Sequence, residues 1–205
     1  EKIETSLGRL IYNQALPPEL GFVNKQLNKK ELAKLVGKII KLVGIERTPQ
    51  YLDAMKDTGF QYVTTAGLTW SIADLKMPTE KAAILDGAEQ QVAEIREQYM
   101  NGFLTDSERR ARVIAVWTEV KSKVAKLVPT ALDQYGSIFN IIDSGARGSW
   151  TQITQVTGMK GLVQNSRSET IELPIKSSFR EGLNVLEFFI ATHGARKGTT
   201  DTALK

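Results

Sequence analysis

Cysteine is absent from this sequence of 205 residues. Its absence excludes disulfide bonds and zinc sites built on thiolates, and a reducing compartment is compatible with that composition. No apolar run approaches the roughly 18 residues of a membrane-spanning helix, and no signal peptide is visible. The net charge of +4 is too small to indicate nucleic-acid binding by itself, and an ordinary solvated surface explains it equally well.

Histidine is almost as scarce, since His193 is the only one. An imidazole suits proton transfer, but no acidic partner is visible nearby in the sequence. A histidine on a helix surface is therefore the alternative. What the chain does contain, 41% hydrophobic and 24% charged residues, is typical of a soluble globular protein with one or two domains.

Neither end of the sequence coincides with the start or the end of a predicted element. The sequence begins at Glu1 without methionine and ends at Lys205 while the spacing is still helical, with no Gly or Pro to stop the helix. We expect a piece of a longer polypeptide.

The first 78 residues predict helices with one extended segment. Asn28 stands three residues before Glu31, the spacing of a helix cap with a reciprocal acidic partner, and Gly44 is expected to end that helix. The spacing predicts a second helix that begins at Thr48-Pro49 and stops at Gly59. The aromatic and β-branched residues of Phe60–Trp70 predict a short strand or an extended segment.

Residues 79–128 predict an antiparallel helical hairpin. Thr79 is the expected cap of its first helix, Asn101-Gly102 separates the two helices, and Thr105 with Glu108 forms a capping box for the second. Apolar residues alternate in steps of three and four, which indicates a narrow coiled-coil seam. The first seam is Leu85, Ala88, Val92, Ile95 and Tyr99; the second is Val113, Trp117, Val120, Val124 and Leu127. A protruding docking arm and an ordinary pair within a bundle both fit this pattern.

Glycines and cations recur together after Pro129. A turn at Asp143–Trp150 places Arg147 between Gly145 and Gly148 at the start of a helix, an arrangement that suits an anion but is common in plain loops. Near the end, Gly194 and Gly198 interrupt a helical pattern beside Arg196 and Lys197. Each interior glycine costs about 0.8–1 kcal/mol relative to alanine, so we expect this helix to bend or to admit a ligand closely.

Three blocks occur in one order: Asp143–Gly148, Gly158–Leu162, and Phe179 to Lys205. In this order they resemble the beta-prime subunit of bacterial RNA polymerase, and the resemblance covers nearly the whole chain. It implies a fold that is mainly α with small β elements: a helical body, a protruding antiparallel coiled-coil hairpin and a long C-terminal helix. The implied regions are a secondary-channel region at 1–78, a rim hairpin at 79–128, a turn and loop segment near the active centre at 129–183, and the start of the bridge helix at 184–205.

The resemblance also implies roles for particular residues. Arg147 would bind the incoming nucleoside triphosphate, and the hairpin tip would dock secondary-channel transcription factors. That tip comprises Asn101, Gly102, Phe103, Leu104, Thr105 and Asp106. The bridge-helix residues expected near the template and the nucleotide are Thr192, His193, Gly194, Arg196, Lys197, Gly198, Asp201, Thr202 and Ala203.

Partners follow from the same resemblance. They are the beta, alpha, omega and sigma subunits, the rest of beta-prime, template DNA, the RNA transcript and nucleoside triphosphates, in the cytoplasm at the nucleoid and without a membrane. The complete enzyme would use Mg²⁺, which the family holds on aspartates spaced two apart. This chain has no Asp-x-Asp. We therefore expect it to bind no metal or cofactor, to contribute no catalytic residue, and to be inactive alone.

Three positions depart from the family pattern. The family usually has Arg at Lys160 and Leu-Ala at Thr199-Thr200, and the loop Asn165–Ser168 lacks the usual Pro and Gly. Two adjacent β-branched residues lower helix propensity. The alternative function, a stand-alone coiled-coil module for nucleic-acid binding or protein interaction, predicts a folded monomer that binds its partner unaided.

Overall fold

The computed structural model describes residues 2–204, which form two compact units. The first unit extends to Trp70 and includes Asn140–Arg147; the second contains Ser71–Phe139 and the chain from Gly148 onward. The fold is mainly α, as predicted, and its β content in the described part is two isolated antiparallel bridges. No helix within residues 2–204 is both long and apolar enough to cross a membrane.

In the first unit, helices α1 (Leu7–Gln14) and α2 (Lys29–Ala66) pack around a small apolar core. Its buried members are Leu16, Leu35, Ile39 and Met55. Asn28 caps α2 as predicted, because its side chain accepts hydrogen bonds from the N–H groups of Lys30 and Glu31. Glu31 does not return the bond: it pairs with Lys25 and Lys34, and the hydrogen bond from Lys25 does most to lower its pKa to about 2.

Helix α2 contains one break, at Gly44, where the sequence predicted an end. Gly44 has φ 78° and ψ 166°, a conformation that residues with a Cβ rarely adopt. The helix resumes at once, so the predicted start at Thr48-Pro49 is wrong. The hydroxyl of the buried Thr48 donates to the Gly44 carbonyl at 2.7 Å and satisfies the acceptor at the break.

The predicted stop at Gly59 and strand at Phe60–Trp70 are also wrong. Helix α2 continues through Gly59 to Ala66, and Gly67 ends it in a left-handed conformation, with its N–H donating to the Val63 carbonyl. Aromatic and β-branched residues cost a helix only some tenths of a kcal/mol each, so they do not by themselves end a helix that has already been nucleated. The aromatic and β-branched composition of this segment therefore did not indicate its structure correctly.

In the second unit, α3 (Lys81–Met100) and α4 (Asp106–Ala131) form the predicted helical hairpin. Its core contains most of the predicted seam; the fully buried members are Ala88, Val92, Val113, Trp117, Val120 and Val124. Val128 is buried in place of Leu127. The predicted cap at Thr79 is wrong, since Glu80 is the N-cap and no side chain caps α3. The coiled-coil character of the seam stays a prediction.

The rest of the chain consists of short elements followed by one long helix. Helix α5 (Ser137–Asp143) precedes the turn with Arg147, and α6 (Trp150–Ile153) leads into a π-helical turn at Thr154–Gly158. A narrow loop with antiparallel bridges Gly161–Ile175 and Gln164–Thr170 follows. Helix α7 (Val185–Ala203) continues through both of its glycines, Gly194 and Gly198.

Candidate functional site

Glu187 fixes the start of α7. Its carboxylate accepts hydrogen bonds from the backbone N–H of Asn184 (3.2 Å), and the Asn184 side chain accepts from Glu187 N–H (2.8 Å), which completes a capping box. The same carboxylate also accepts from the N–H groups of Lys176 (2.9 Å) and Ser177 (3.1 Å). One buried side chain therefore ties the helix to the segment that precedes it.

Burial by itself raises the pKa of Glu187, but the hydrogen bonds from Ser177, Asn184 and Lys176 outweigh it and hold the pKa below its ordinary value. The group is charged at neutral pH and rigidly placed. Glu187 was not among the predicted site residues, although Asn184 and Glu187 have the same spacing as the capping box predicted at Thr105 and Glu108.

The loop that follows Gly158 packs directly on α7, and Gly194 is the point of closest approach. A Cβ at Gly194 would lie 2.5 Å from Cγ1 of Val163, whereas Gly198 has nothing within 4 Å of that position. Val163, Ile175, Ile190 and Ala191 form the buried cluster between loop and helix. Gly194 thus has one of the two predicted roles, the close approach of another group. That group is Val163 of the same chain and not a ligand.

Lys197 makes a second connection from α7 to the loop. Its ammonium donates to the hydroxyl of Ser168 at 3.0 Å and pairs with Asp201 at 3.2 Å. Arg196 differs, because its guanidinium is exposed and has no hydrogen-bond or ionic partner within residues 2–204. The predicted basic pair thus contains one structural cation and one available cation.

The other predicted residues of α7 are distributed around the helix. His193 is partly exposed and meets the ring of Phe189 edge-on, with ring centroids 5.5 Å apart. The hydroxyls of Thr192 and Thr202 donate to backbone carbonyls of the preceding turn, at 2.7 and 2.8 Å, and Ala203 closes the helix. The structure brings these residues onto one element without grouping them into a catalytic cluster.

The predicted hairpin tip is largely exposed. Phe103 is 77% exposed, and Thr105 forms the predicted capping box with Glu108. Asp106 accepts hydrogen bonds from Arg109, the first basic residue of α4.

The base of the tip is bound to the loop. Arg109 pairs with Glu172 at 3.0 Å, and Arg110 donates to the Thr170 carbonyl at 2.9 Å. The hydrogen bond that Arg109 donates to Glu172, together with those it donates to Asp106, raises the pKa of Arg109, which stays charged. Glu172 lies 63 positions from Arg109, so no local sequence signal could have revealed the pair.

Arg147 lies in the first unit, in an exposed turn. Gly145 and Gly148 on either side have φ values of 75° and 79°, which explains the glycines of the predicted motif. The backbone N–H of Arg147 donates to Ile141 at 3.4 Å, and its guanidinium has no partner within residues 2–204. Ser149 caps the helix that follows by accepting from Gln152 N–H.

No three His, Asp or Glu side chains within residues 2–204 form a set that could hold a metal ion. The Mg²⁺ implied for the complete enzyme therefore has no such ligand set in the described part of this chain.

Two family models match successive parts of the sequence. The model described as RNA polymerase Rpb1, domain 3, matches residues 1–75, and that described as RNA polymerase Rpb1, domain 4, matches residues 88–180.

Similar curated proteins cover the whole chain. The protein named DNA-directed RNA polymerase subunit beta' from Desulforamulus reducens is 43% identical over 205 residues, 100% of this chain and 17% of that protein. Proteins of the same name from Caldicellulosiruptor saccharolyticus and a Nocardioides species are 44% and 46% identical over 99% of this chain, which covers 19% and 16% of them. The chain thus spans less than a fifth of the length of these relatives. Since the residues that carried the resemblance fall inside these matches, the chain belongs to the family of bacterial DNA-directed RNA polymerase subunit beta'.

Proposed function

We propose that this chain is the part of the beta-prime subunit that forms the rim of the secondary channel and the bridge-helix side of the active-site cleft in a DNA-directed RNA polymerase. In that enzyme it takes part in nucleotidyl transfer during transcription. The observation that carries the proposal is the identity of 43–46% to subunits of that name across essentially the entire chain. We also propose the four regions 1–78, 79–128, 129–183 and 184–205 as its functional divisions.

The contacts of α7 support a mechanical role. The loop packs against the helix at Gly194, and the Glu187 carboxylate and the Lys197–Ser168 hydrogen bond hold the two together on either side. A movement of the loop toward α7 must therefore displace the helix, because Val163 leaves no free space at Gly194. We assign the predicted residues of α7 from Thr192 to Ala203, Arg196 included, to the neighbourhood of the template and the nucleotide; Thr192 and Arg196 also line a groove.

The exposed tip from Asn101 to Asp106 supports the docking of transcription factors in the secondary channel. The apolar side chain of Phe103 is available to a partner, and the capping box at Thr105 fixes the turn that presents it. Other subunits, DNA, RNA and nucleoside triphosphates are the remaining partners in this proposal, and Mg²⁺ would be bound outside this chain.

A segment exchange tests the proposed function. In the Desulforamulus reducens subunit, the matching stretch is replaced by this chain, and the chimera is assembled with the remaining subunits. We expect RNA synthesis on a DNA template within about tenfold of the parent enzyme's rate. An exchange carrying Gly194→Val is the control and should be much slower, because the larger side chain collides with Val163. An assembled chimera that makes no RNA would favour the stand-alone module instead.

Arg147 is tested in the same enzyme. Its free guanidinium can form two parallel hydrogen bonds to phosphate oxygens, each of them charge-assisted. Arg147→Ala should raise the apparent KM for nucleoside triphosphates about tenfold or more, because a hydrogen bond to a charged group contributes about 1.5–3 kcal/mol. Arg96→Ala, on the exposed side of α3, is the matched control. An unchanged KM for Arg147→Ala would refute the phosphate contact.

A further inference from the structure

A groove of about 630 Å³ lies between α7 and the segment that leads into it. Its lining residues are Lys160, Phe179, Leu183, Phe188, Ala191, Thr192, Ala195 and Arg196. Those from α7 follow the spacing i, i+3, i+4, i+7 and i+8, so they form one continuous face of the helix. This face adjoins the one that packs on the loop, and Ala191 belongs to both.

The side chains at the floor of the groove are smaller than those at its walls. Small side chains at Ala191, Thr192 and Ala195 leave room at the floor, while Phe188 and Phe179 stand at the walls with 64% and 47% of their surface exposed. Val185 and Leu186, in the first turn of α7, are exposed by 89% and 59%. Contiguous exposed apolar surface of this kind marks a site of interaction with another polypeptide or ligand.

Two cations flank the apolar floor. Lys160 is half-buried, with its ammonium 4.8 Å from the centre of the Phe179 ring, and burial lowers its pKa. Arg196 lies on the α7 side of the groove. Neither side chain has a carboxylate partner within residues 2–204, whereas the neighbouring Lys197 has one in Asp201. A desolvated cation without a counter-charge is unfavourable, and an anion placed beside it removes that cost.

We propose that this groove binds an acidic polypeptide segment from outside this chain, which inserts one bulky apolar side chain between Phe179 and Phe188 and pairs its carboxylates with Lys160 and Arg196. Most of the length of the relatives lies outside the matched stretch, so such segments are available. A nucleic-acid strand fits less well, because its phosphates repeat at every nucleotide and require a continuous basic track. Here only two cations occur, separated by apolar surface.

The test uses the full-length subunit in the assembled polymerase, so it rests on the proposed function. The photoreactive amino acid p-benzoylphenylalanine replaces Phe188, and in a matched enzyme it replaces Phe189, which is equally exposed but does not line the groove. RNA synthesis is measured first, and the crosslinked peptides are then identified by mass spectrometry. At Phe188 we expect a crosslink to a segment in which Asp or Glu flanks an aromatic or large aliphatic residue.

Charge reversal sharpens the result. Lys160→Glu and Arg196→Glu should each lower the crosslinking yield at Phe188 at least about fivefold, while Lys197→Glu should not. Reversing the charge of the captured segment should restore the yield. Lys160→Gln, which removes the charge without adding a carboxylate, checks the result if Lys160→Glu impairs folding, and it should also lower the yield.

The inference is overturned if Phe188 crosslinks to nucleic acid, to a segment without carboxylates, or no better than Phe189. It is also overturned if the yield does not respond to the charge of Lys160 and Arg196. Any of these results in an enzyme that synthesises RNA leaves the proposed function intact, whereas a subunit that does not assemble into an active polymerase contradicts the proposed function itself.

Discussion

The α3–α4 hairpin and helix α7 bury their apolar residues in opposite ways. In the hairpin, two helices face each other and Trp117 and Val124 are 3% and 0% exposed. In α7, Phe188 and Phe189 are each 64% exposed, and only one face packs on the loop. The hairpin therefore buries its apolar seam between its own two helices, and Met159 from the following segment completes that core. Helix α7 presents apolar surface that a monomeric protein rarely leaves in water, which supports contacts with other parts of a larger assembly.

The largest expected effect is a loss of stability in the α3–α4 hairpin. Trp117→Ala should lower the free energy of unfolding by about 3–5 kcal/mol, because it removes a buried aromatic side chain and leaves a cavity. Phe189→Ala on α7 should change it by less than about 0.5 kcal/mol, since that ring is mostly exposed. Urea unfolding followed by circular dichroism measures both. Equal losses would mean that α7 is packed as tightly as the hairpin.

The second effect concerns the attachment of α7 to its loop. Glu187→Gln should lower the free energy of unfolding at pH 7 by about 1–3 kcal/mol, because three backbone N–H groups lose a charged acceptor. The pKa of Glu187 is lower in the folded chain than the ordinary value of 4.5. Its contribution is therefore fully present above pH 4.5 and is lost as the pH falls through the folded pKa.

The pH dependence distinguishes this role from simple packing. Unfolding curves at pH 7, 5 and 3 should show a larger loss of stability on acidification for the natural chain than for Glu187→Gln. Glu119→Gln is the matched control, because that exposed carboxylate pairs only with Lys123. A difference between the natural chain and Glu187→Gln that does not shrink at pH 3 would contradict the hydrogen-bonded carboxylate.

A third measurement compares the two capping boxes. Thr105→Ala at α4 and Asn184→Ala at α7 should each cost about 1 kcal/mol of unfolding free energy. Asn184→Ala should in addition speed amide hydrogen exchange at Lys176 and Ser177, since the Glu187 carboxylate accepts hydrogen bonds from these two amides as well as from that of Asn184. Unaltered exchange at those two amides would show that the helix cap and the attachment of the loop are independent of each other.

The smallest effects come from the two glycines of α7. Gly198→Ala should stabilise the chain by up to about 1 kcal/mol, because alanine favours a helix and the position is open. Gly194→Ala should destabilise it by about 1 kcal/mol, because overpacking against Val163 exceeds that gain. Thermal unfolding of both variants gives the signs. The same sign for both would show that Val163 moves away without cost.

The parts of the fold that were predicted correctly depend on local patterns. The capping box at Thr105 and Glu108, the cap at Asn28 and the hairpin seam each follow from spacing within a few residues. Two of the failures share a cause: at Gly59 and Phe60–Trp70 a local preference of some tenths of a kcal/mol was taken as decisive, although it is too small to end a helix that has already formed. The family was recognisable because its motifs are long and lie in a fixed order.

The sequence by itself determined the helical character of this protein, the hairpin, the glycine-flanked turn with Arg147, and the family. Only the tertiary structure decided what the glycines and cations of α7 do: Gly194 admits Val163, Lys197 joins Ser168 and Asp201, and Arg196 remains available beside the groove. The physical reason is distance along the chain. Helix periods, caps and the Lys197–Asp201 pair act over three or four residues. The contacts of Gly194 with Val163 and of Lys197 with Ser168 join positions about 30 residues apart, and sequence spacing carries no record of them.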